Sequence, residues 1–392
     1  MFDLNTVNGV VKVYAKTIEQ ETISQIVGMA NSPIGKNANI RIMPDAHKGT
    51  GCTIGTTMRI TDKVCPNLVG VDIGCGVDLI KVNGILDDRL RELDTTIREF
   101  VPAGMSVHGS QAVEENYFKD LLCWNELSDA TKAGALRSLG TLGGGNHFIE
   151  AYEGGHISVH SGSRNIGYKV AEYYQKKAIQ KCGESIKEEF QKKLMATEPA
   201  LRQGFIAEAK KNGLYFDKEL CWLDGEDMKA YLHDVEVMQK FAYCNRIKIL
   251  ATITKKMNLD IEEVVATSVH NYIDTKNMIL RKGAISAAHG ERVVIPMNMR
   301  DGILVGVGKG NEEWNYSAPH GAGRLYSRSQ AKEIFTVDEY AESMAGIYTT
   351  CVSQSTLDEA PFVYKDYHEI RDAIEPTVDV RYRLKPIYNF KA

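Results

Sequence analysis

The chain has 392 residues, of which 43% are hydrophobic and 25% are charged, and its formal net charge is -4 at pH 7. This composition is typical of a soluble globular protein and excludes a disordered or fibrous chain. The small net charge argues against a protein that coats nucleic acid with its whole surface, but it is compatible with a local basic groove.

Targeting signals are absent from the sequence. No apolar run near Met1 has the length of a signal-peptide core, and no run elsewhere reaches the length of a membrane span. The sequence therefore predicts a cytoplasmic protein. The eight cysteines are scattered without a CxxC pair, so most of them are expected to be buried thiols in a reducing compartment.

Hydrophobic periodicity divides the first two thirds of the chain. Residues 1–90 are rich in β patterns, and residues 86–139 have mostly helical spacing. Helix formers dominate 166–260, which we interpret as a helical insertion. Its helices are expected at Val170–Leu194, Pro199–Asn212 and Glu226–Met257. Candidate chemical residues lie on both sides of this block, which favours one α+β domain over residues 1–392 rather than separate domains.

The remaining third returns to β patterns. Val264–Ile273 has strand character, and Lys282–Val307 has the glycine-punctuated pattern of hairpins. Helices are expected at 331–348 and 366–374. The last element predicted is a strand at Val378–Phe390.

Half of the ten histidines lie beside glycine, asparagine or serine near strand ends: His47, His147, His160, His270 and His320. Imidazole in such a loop can act as a metal ligand, an acid, a base or a nucleophile. The other half lack this setting and are assigned to the surface or to packing: His108, His156, His233, His289 and His368.

The turn Asp72-Ile73-Gly74-Cys75-Gly76 offers a carboxylate and a thiolate three residues apart. Alone, this turn is more typical of a buried cysteine that packs as a small apolar residue. Combined with histidines in comparable loops, it favours a transition-metal site. A thiolate can bridge two metal ions, and two-metal sites suit phosphoryl transfer.

Glycine-rich segments supply candidate phosphate contacts. The run Gly143-Gly144-Gly145 is compatible either with a nest of backbone N–H groups for a phosphate or with a flexible turn. Strand alternation after it places Asn146, Phe148 and Glu150 on one face. Arg164 of HSGSRN and Arg324 of HGAGR lie beside small residues and are suited to bind phosphate. The loop around His320 is by itself equally compatible with a turn or a site.

The motifs MPDAHKG, VGVDIGCG, LGGGNHF, VHSGSRNIG, HNY and SAPHGAGR occur in this order. In this series the chain resembles the RtcB family of GTP-dependent RNA ligases, from residue 41 to the end. The resemblance implies mixed and antiparallel sheets around a deep metal-binding cleft. It implies joining of RNA 2′,3′-cyclic phosphate or 3′-phosphate ends to 5′-hydroxyl ends with GTP and two Mn²⁺ ions. Cyclic phosphates are hydrolysed to 3′-phosphates first.

The resemblance also implies a role for each matching residue. His320 would be the nucleophile that carries GMP, and the metal ligands would be Asp72, Cys75, His147, His160 and His270, with Cys75 bridging the ions. Arg164 and Arg324 would bind RNA or phosphate. The GTP or GMP contacts would be Asn146, Phe148, Glu150, Asn298, Asp301, Ser317, Gly321, Ala322, Gly323, Tyr364 and Lys391.

One segment departs from the family pattern. The stretch Asn298-Met299-Arg300-Asp301-Gly302 stands where many members have a Gly-Ser-Met-Gly run that touches guanine. Asn298 and Asp301 are the residues expected to replace that contact, as in a compact bacterial subgroup. Two alternatives stay open: a Mn²⁺-dependent RNA-end phosphoesterase, and an RNA-binding paralogue without ligation. The need for an archease-like activating partner also stays open.

Overall fold

The computed structural model describes residues 1–49, 51–83, 86–212 and 217–392. Within these ranges the α helices are α1 (Gln20–Asn31), α2 (Leu90–Phe100), α3 (Asp129–Leu136), α4 (Arg164–Ala196), α5 (Arg202–Asn212), α6 (Gly225–Lys256), α7 (Arg328–Ile334), α8 (Val337–Ser343) and α9 (Tyr367–Ala373). None of these helices combines the length and apolarity that crossing a membrane requires.

The strands of the same ranges are β1 (Phe2–Thr6), β2 (Gly9–Val13), β3 (Arg41–His47), β4 (Ile54–Arg59), β5 (Gly76–Asn83), β6 (Phe148–Tyr152), β7 (His156–Ser161), β8 (Asp260–Val269), β9 (Asn271–Asp274), β10 (Ile279–Lys282), β11 (Ala284–Ser286), β12 (Arg292–Asn298), β13 (Gly302–Gly308), β14 (Ser317–Pro319), β15 (Tyr348–Thr349), β16 (Val378–Leu384) and β17 (Pro386–Lys391).

The described strands form two large and two small sheets. The large sheets have six strands each, in the orders β1-β2-β3-β4-β10-β9 and β15-β17-β6-β7-β5-β8. The small ones are β12-β13-β16 and β11-β14. Most pairs are antiparallel, while β2 with β3 and β15 with β17 run parallel. The predicted α+β fold with mixed and antiparallel sheets is confirmed.

The three helices predicted between 166 and 260 are present as α4, α5 and α6. Helices α4 and α6 share a hydrophobic core with the first sheet, because Tyr174 of α4 and Tyr231 of α6 belong to the same buried cluster as Ile42 of β3. These two helices therefore pack against the N-terminal strands.

One prediction in the first half is wrong, and one helix lies among the predicted strands, which are present as β1 to β5. Residues 86–139 were predicted to be mostly helical, but only α2 and α3 are α-helical there. Between them the chain forms short turns and loops, part of which a side chain holds, since the Asp234 carboxylate of α6 accepts from the N–H groups of Leu122 at 2.8 Å and Cys123 at 3.0 Å. Conversely, α1 lies in the part predicted to be β-rich and buries Ile26 and Met29 at helical spacing.

The predicted C-terminal strand is in fact two strands. β16 pairs with β13 in the three-stranded sheet, whereas β17 pairs with β6 in a six-stranded one. The chain changes sheet at Lys385, just before Pro386. Proline lacks an N–H to donate, and it is tolerated as the first residue of a strand.

Candidate metal centre and nucleotide cavity

Three side chains with metal-binding atoms converge at the ends of neighbouring strands. Cys75, His147 and His160 are buried, and their ligand atoms lie within 4.8 Å of one another. The Cys75 Sγ is 3.2 Å from His160 Nε2 and 3.4 Å from His147 Nε2. Strands β6, β7 and β5 are adjacent, and both Phe148 and Val77 lie opposite His160 in the register. The register therefore assembles this cluster.

The other two predicted ligands extend the cluster in opposite directions. Asp72 Oδ2 lies 2.9 Å from His147 Nε2, and Asp72 Oδ1 accepts from the Ser163 N–H at 3.1 Å. His270 follows β8, and its Nε2 lies 3.1 Å from His160 Nε2. The structure thus brings all five predicted ligand residues together.

The tautomers of two imidazoles suit metal binding. His147 Nδ1 lies 2.9 Å from the Leu142 carbonyl oxygen, and His160 Nδ1 lies 3.0 Å from that of Asn146. A carbonyl oxygen can only accept, so each Nδ1 carries the proton and each Nε2 presents a lone pair to Cys75. Such backbone-oriented imidazoles beside a thiol and a carboxylate are typical of transition-metal ligands. The residues present therefore fit a divalent metal.

Burial controls the protonation of this cluster. It lowers the pKa values of His160 and His270 well below the usual range, and the neighbouring imidazoles lower them further. Burial also raises the pKa of the Cys75 thiol, with Asp72 contributing in the same direction. The two imidazoles are therefore neutral and able to donate electron pairs.

Two side chains of helix α6 bind backbone groups next to the ligand residues. Arg246 is fully buried, pairs with Asp78 at 3.0 Å, and donates to the carbonyls of Gly74 at 2.8 Å and Ser161 at 3.1 Å. These carbonyls immediately precede or follow the ligands Cys75 and His160. Asn245 accepts from the Gly140 and Thr141 N–H groups and donates to the Gly162 carbonyl. Nothing in the sequence singled out these two residues of the helical block as supports of the ligand loops.

His320 is held by a carboxylate that the sequence did not single out. Its Nδ1 lies 2.6 Å from Asp45 Oδ2, and the ring centroid lies 4.9 Å from that of His270. Asp45 is completely buried. Gly323 has a φ of +75°, and a Cβ there would lie 2.4 Å from the Asp45 carbonyl oxygen. Glycine at this position therefore permits the loop to approach Asp45.

A cavity of about 1260 Å³ opens beside His320. His160 and His270 line it together with predicted nucleotide contacts from several elements: Asn146, Phe148, Glu150, Asn298, Gly321, Ala322, Gly323, Tyr364 and Lys391. Arg324 lines it as well. Most of the predicted nucleotide residues therefore share one space with the candidate metal cluster.

Two further acidic networks lie at this cavity. Burial raises the pKa of Glu150 to about 7, although Tyr152, 2.7 Å away, Lys391 and Asn389 oppose the shift. Glu359 was missed by the sequence reasoning, because nothing in its local sequence distinguishes it. It accepts from Lys391 at 2.8 Å and Tyr364 at 2.5 Å.

Two arginines also contact Glu359. Arg324 Nη1 and Arg328 Nη1 both lie 3.2 Å from Glu359 Oε1. Burial raises the pKa of Glu359, but Lys391, Arg328 and Arg324 outweigh it and lower the value to about 2. One ionised carboxylate thus gathers three cations at the cavity.

Three of the predicted nucleotide, RNA or phosphate contacts do not line the cavity. The Ser317 hydroxyl is buried, accepts from Arg281 at 2.8 Å and donates to Asn315 at 2.7 Å. Asp301 accepts from Asn298 at 2.7 Å and so shapes the turn after β12. Arg164 donates to Thr141 Oγ1 and to the Gly104 carbonyl, both at 2.9 Å. In this structure all three bind protein groups.

Together these features define an α+β protein with a sulfur–imidazole candidate metal site beside an aspartate-bound histidine. The family described as RtcB, tRNA-splicing ligase RtcB, matches residues 25–126 and 122–392, and the chain belongs to this family. The RNA-splicing ligase RtcB of Escherichia coli K12 is 30% identical over 416 residues, which cover 98% of each chain.

Archaeal relatives match the chain as well. The tRNA-splicing ligase RtcB of Aeropyrum pernix is 28% identical over 423 residues, covering 84% of this chain and 82% of that one. The tRNA-splicing ligase RtcB of Nanoarchaeum equitans is 27% identical over 453 residues, covering 92% and 88%. The similarity therefore extends over the elements that form the site.

Proposed function

We propose that this protein is an RNA ligase that joins 2′,3′-cyclic phosphate or 3′-phosphate ends to 5′-hydroxyl ends in RNA repair or splicing. The observation that carries the proposal is the imidazole of His320, bound by the buried Asp45 carboxylate at the edge of the cavity and next to His270. Membership in a family with RNA-splicing and tRNA-splicing ligases supports the same reaction. The proposed setting is the cytoplasm.

Two Mn²⁺ ions are the proposed metals. Cys75 would bind both, Asp72 and His147 would complete one site, and His160 and His270 the other, consistent with the distances within the cluster. Bound Mn²⁺ supplies charge neutralisation at phosphate oxygens.

Residues of the chain account for the covalent step. Asp45 accepts a hydrogen bond from Nδ1–H of His320, so Nε2 carries the lone pair that attacks the α-phosphorus of GTP, and pyrophosphate leaves. An oxygen of the RNA 3′-phosphate then attacks this phosphorus, and the bond to Nε2 breaks. Finally the 5′-hydroxyl attacks the RNA phosphorus and GMP leaves.

The remaining cavity residues would bind the nucleotide and the RNA. GTP or GMP contacts are proposed for Asn146, Phe148, Glu150, Asn298, Asp301, Ser317, Gly321, Ala322, Gly323, Tyr364 and Lys391. Arg164 and Arg324 are proposed to bind RNA phosphates. For Arg164, Asp301 and Ser317 the support is their place in the family motifs rather than the cavity.

A labelling experiment tests the proposal. Purified protein incubated with α-labelled GTP and Mn²⁺ is expected to acquire a covalent label that is stable to denaturation, and His320→Ala is expected to acquire none. His368→Ala is the matched control, because this exposed histidine lies outside the cavity lining. An unlabelled wild-type protein at every Mn²⁺ concentration would exclude guanylylation.

The two alternatives predict different results. A Mn²⁺-dependent phosphoesterase would remove terminal phosphates without any label, and an RNA-binding paralogue would bind RNA without Mn²⁺. Ligation of 5′-hydroxyl RNA with GTP or ATP, with and without an archease-like protein, separates these cases and tests the guanine preference.

A further inference from the structure

His47 is a cavity-lining histidine to which the proposed ligase mechanism gives no role. It ends strand β3, is partly exposed, and lines the same cavity as His320. Its Nδ1 lies 3.0 Å from the Asp45 carbonyl oxygen. Asp45 therefore holds two imidazoles, His320 with its side chain and His47 with its backbone.

The contact with Asp45 fixes the tautomer of His47. The carbonyl oxygen can only accept, so Nδ1 carries the proton and Nε2 is the basic nitrogen. Burial lowers the pKa of His47 to about 4, with smaller effects from His320 and Arg324, while the bond to Asp45 opposes the shift. At neutral pH the ring is therefore unprotonated and able to accept a proton.

The other imidazoles that line the cavity in the described part of the chain are already engaged. His160 and His270 direct their Nε2 atoms at each other and His160 also at Cys75. His320 is bound to Asp45, and its Nε2 is the proposed nucleophile. His47 is thus the imidazole left for proton transfer.

Only some steps of the proposed reaction need a proton acceptor. The His320 lone pair and the RNA 3′-phosphate oxygen attack without losing a proton. Two nucleophiles do carry a proton: the 5′-hydroxyl of the joining step, and the water that opens a terminal cyclic phosphate. A base for these steps contributes typically about 100-fold or more to the rate.

Position distinguishes these two steps. In-line displacement places the attacking and leaving groups on opposite sides of phosphorus. The proposed GMP occupies the cavity that His47 and His320 share, so in the joining step we expect the 5′-hydroxyl to approach the RNA phosphorus from the opposite side. Water opening a cyclic phosphate is small and can approach beside His320.

We propose that His47 accepts the proton of the water that opens a terminal 2′,3′-cyclic phosphate, an inference that rests on the proposed ligase function. The water oxygen forms a bond to phosphorus as the bond from phosphorus to O2′ breaks. His47 Nε2 takes the water proton and later releases it to solvent. O2′ takes a proton from solvent, leaving a 3′-phosphate and a 2′-hydroxyl.

The test compares two RNA ends in one protein. Holoprotein with Mn²⁺ and GTP is given a 5′-hydroxyl RNA and a partner that ends either in a cyclic phosphate or in a 3′-phosphate. In His47→Ala the rate with cyclic ends is expected to fall about 100-fold relative to the rate with 3′-phosphate ends. Added imidazole should restore the cyclic-end rate, which a purely structural role of His47 would not allow.

Controls keep the outcomes distinct. Joining of 3′-phosphate ends reports that His47→Ala is folded, and His368→Ala should leave the ratio of the two rates at its wild-type value. An equal loss with both ends, or no rescue by imidazole, overturns the role of His47. A wild-type protein that joins neither end and takes no label from GTP overturns the ligase proposal itself.

Discussion

Asp45 is the residue on which the nucleophile depends. Its carboxylate is buried, contacts His320 at 2.6 Å, and leaves Oδ1 without a hydrogen-bond partner among the described residues. A buried carboxylate at this position orients the imidazole and stabilises positive charge on it. The same role in other enzymes is filled by residues distant in sequence, which explains why the sequence alone did not assign it.

We predict that Asp45→Asn lowers the rate of His320 labelling by GTP about 100-fold, because the amide favours the wrong tautomer and cannot stabilise a cationic ring. Single-turnover labelling measures the rate, and thermal unfolding checks the fold. Glu21→Gln is a matched control, since this exposed acid also lines the cavity. A normal labelling rate in Asp45→Asn would contradict the assignment.

Ionisation of Glu359 should make the free energy of unfolding depend on pH in the acid range. Its pKa of about 2 in the folded protein lies below the usual value of about 4.3. A depressed carboxyl pKa stabilises the fold above the unfolded pKa, and this contribution disappears as the pH falls towards 2. Glu359→Gln should therefore be less stable by about 3 kcal/mol at pH 7, with a difference that shrinks below pH 5.

Urea unfolding from pH 7 down to pH 3 measures this difference. Glu189→Gln is the control, because its ion pair with Lys193 is exposed to solvent and is expected to contribute little to stability. A constant difference between Glu359→Gln and wild type across this range would show that Glu359 acts by packing alone.

Helix α6 is the element that fixes the ligand loops. We predict that Arg246→Leu destabilises the protein by about 3–5 kcal/mol, because it leaves the Asp78 carboxylate buried without its partner. The double variant Asp78→Leu with Arg246→Leu removes both charges and should recover part of that loss. Urea unfolding measures the free energy of unfolding of the single and double variants. A double variant that loses more stability than the two single variants combined would contradict a stabilising pair.

At the scale of elements, the spacing of hydrophobic residues was sufficient to predict the helices of the helical block. Helices α4, α5 and α6 have long runs of helix formers and were found. Helix α1 is short and lies among β patterns, so local pattern did not reveal it. The residues between α2 and α3 take their conformation from Asp234, more than 100 positions away, and only tertiary contacts reveal such a constraint.

At the scale of the molecule, metal binding should couple to stability. Mn²⁺ at about 100 times its dissociation constant should raise the free energy of unfolding by about 2.7 kcal/mol. Cys75→Ser should lose most of this effect, while Cys244→Ser, a half-exposed cysteine, should keep it. Thermal unfolding with Mn²⁺ or with a chelator measures the difference, and equal stabilisation of both variants would place the metal elsewhere.

The candidate site combines residues from 45 to 391, so no local window contains it. The order of the motifs in the sequence identified the five ligand residues and His320 as candidates. In the structure these six residues lie close together. The sequence could not reveal Asp45, Arg246 or Glu359 as partners, because their roles arise from contacts across the fold.

Strand β17 links the cavity to the protection of a sheet edge. It brings Lys391 beside Phe148 and covers the edge of β6, which carries Glu150. When this strand detaches, the β6 edge becomes open to pairing with other chains. Detachment of β17 should therefore remove Lys391 from the cavity and expose an edge prone to aggregation at the same time.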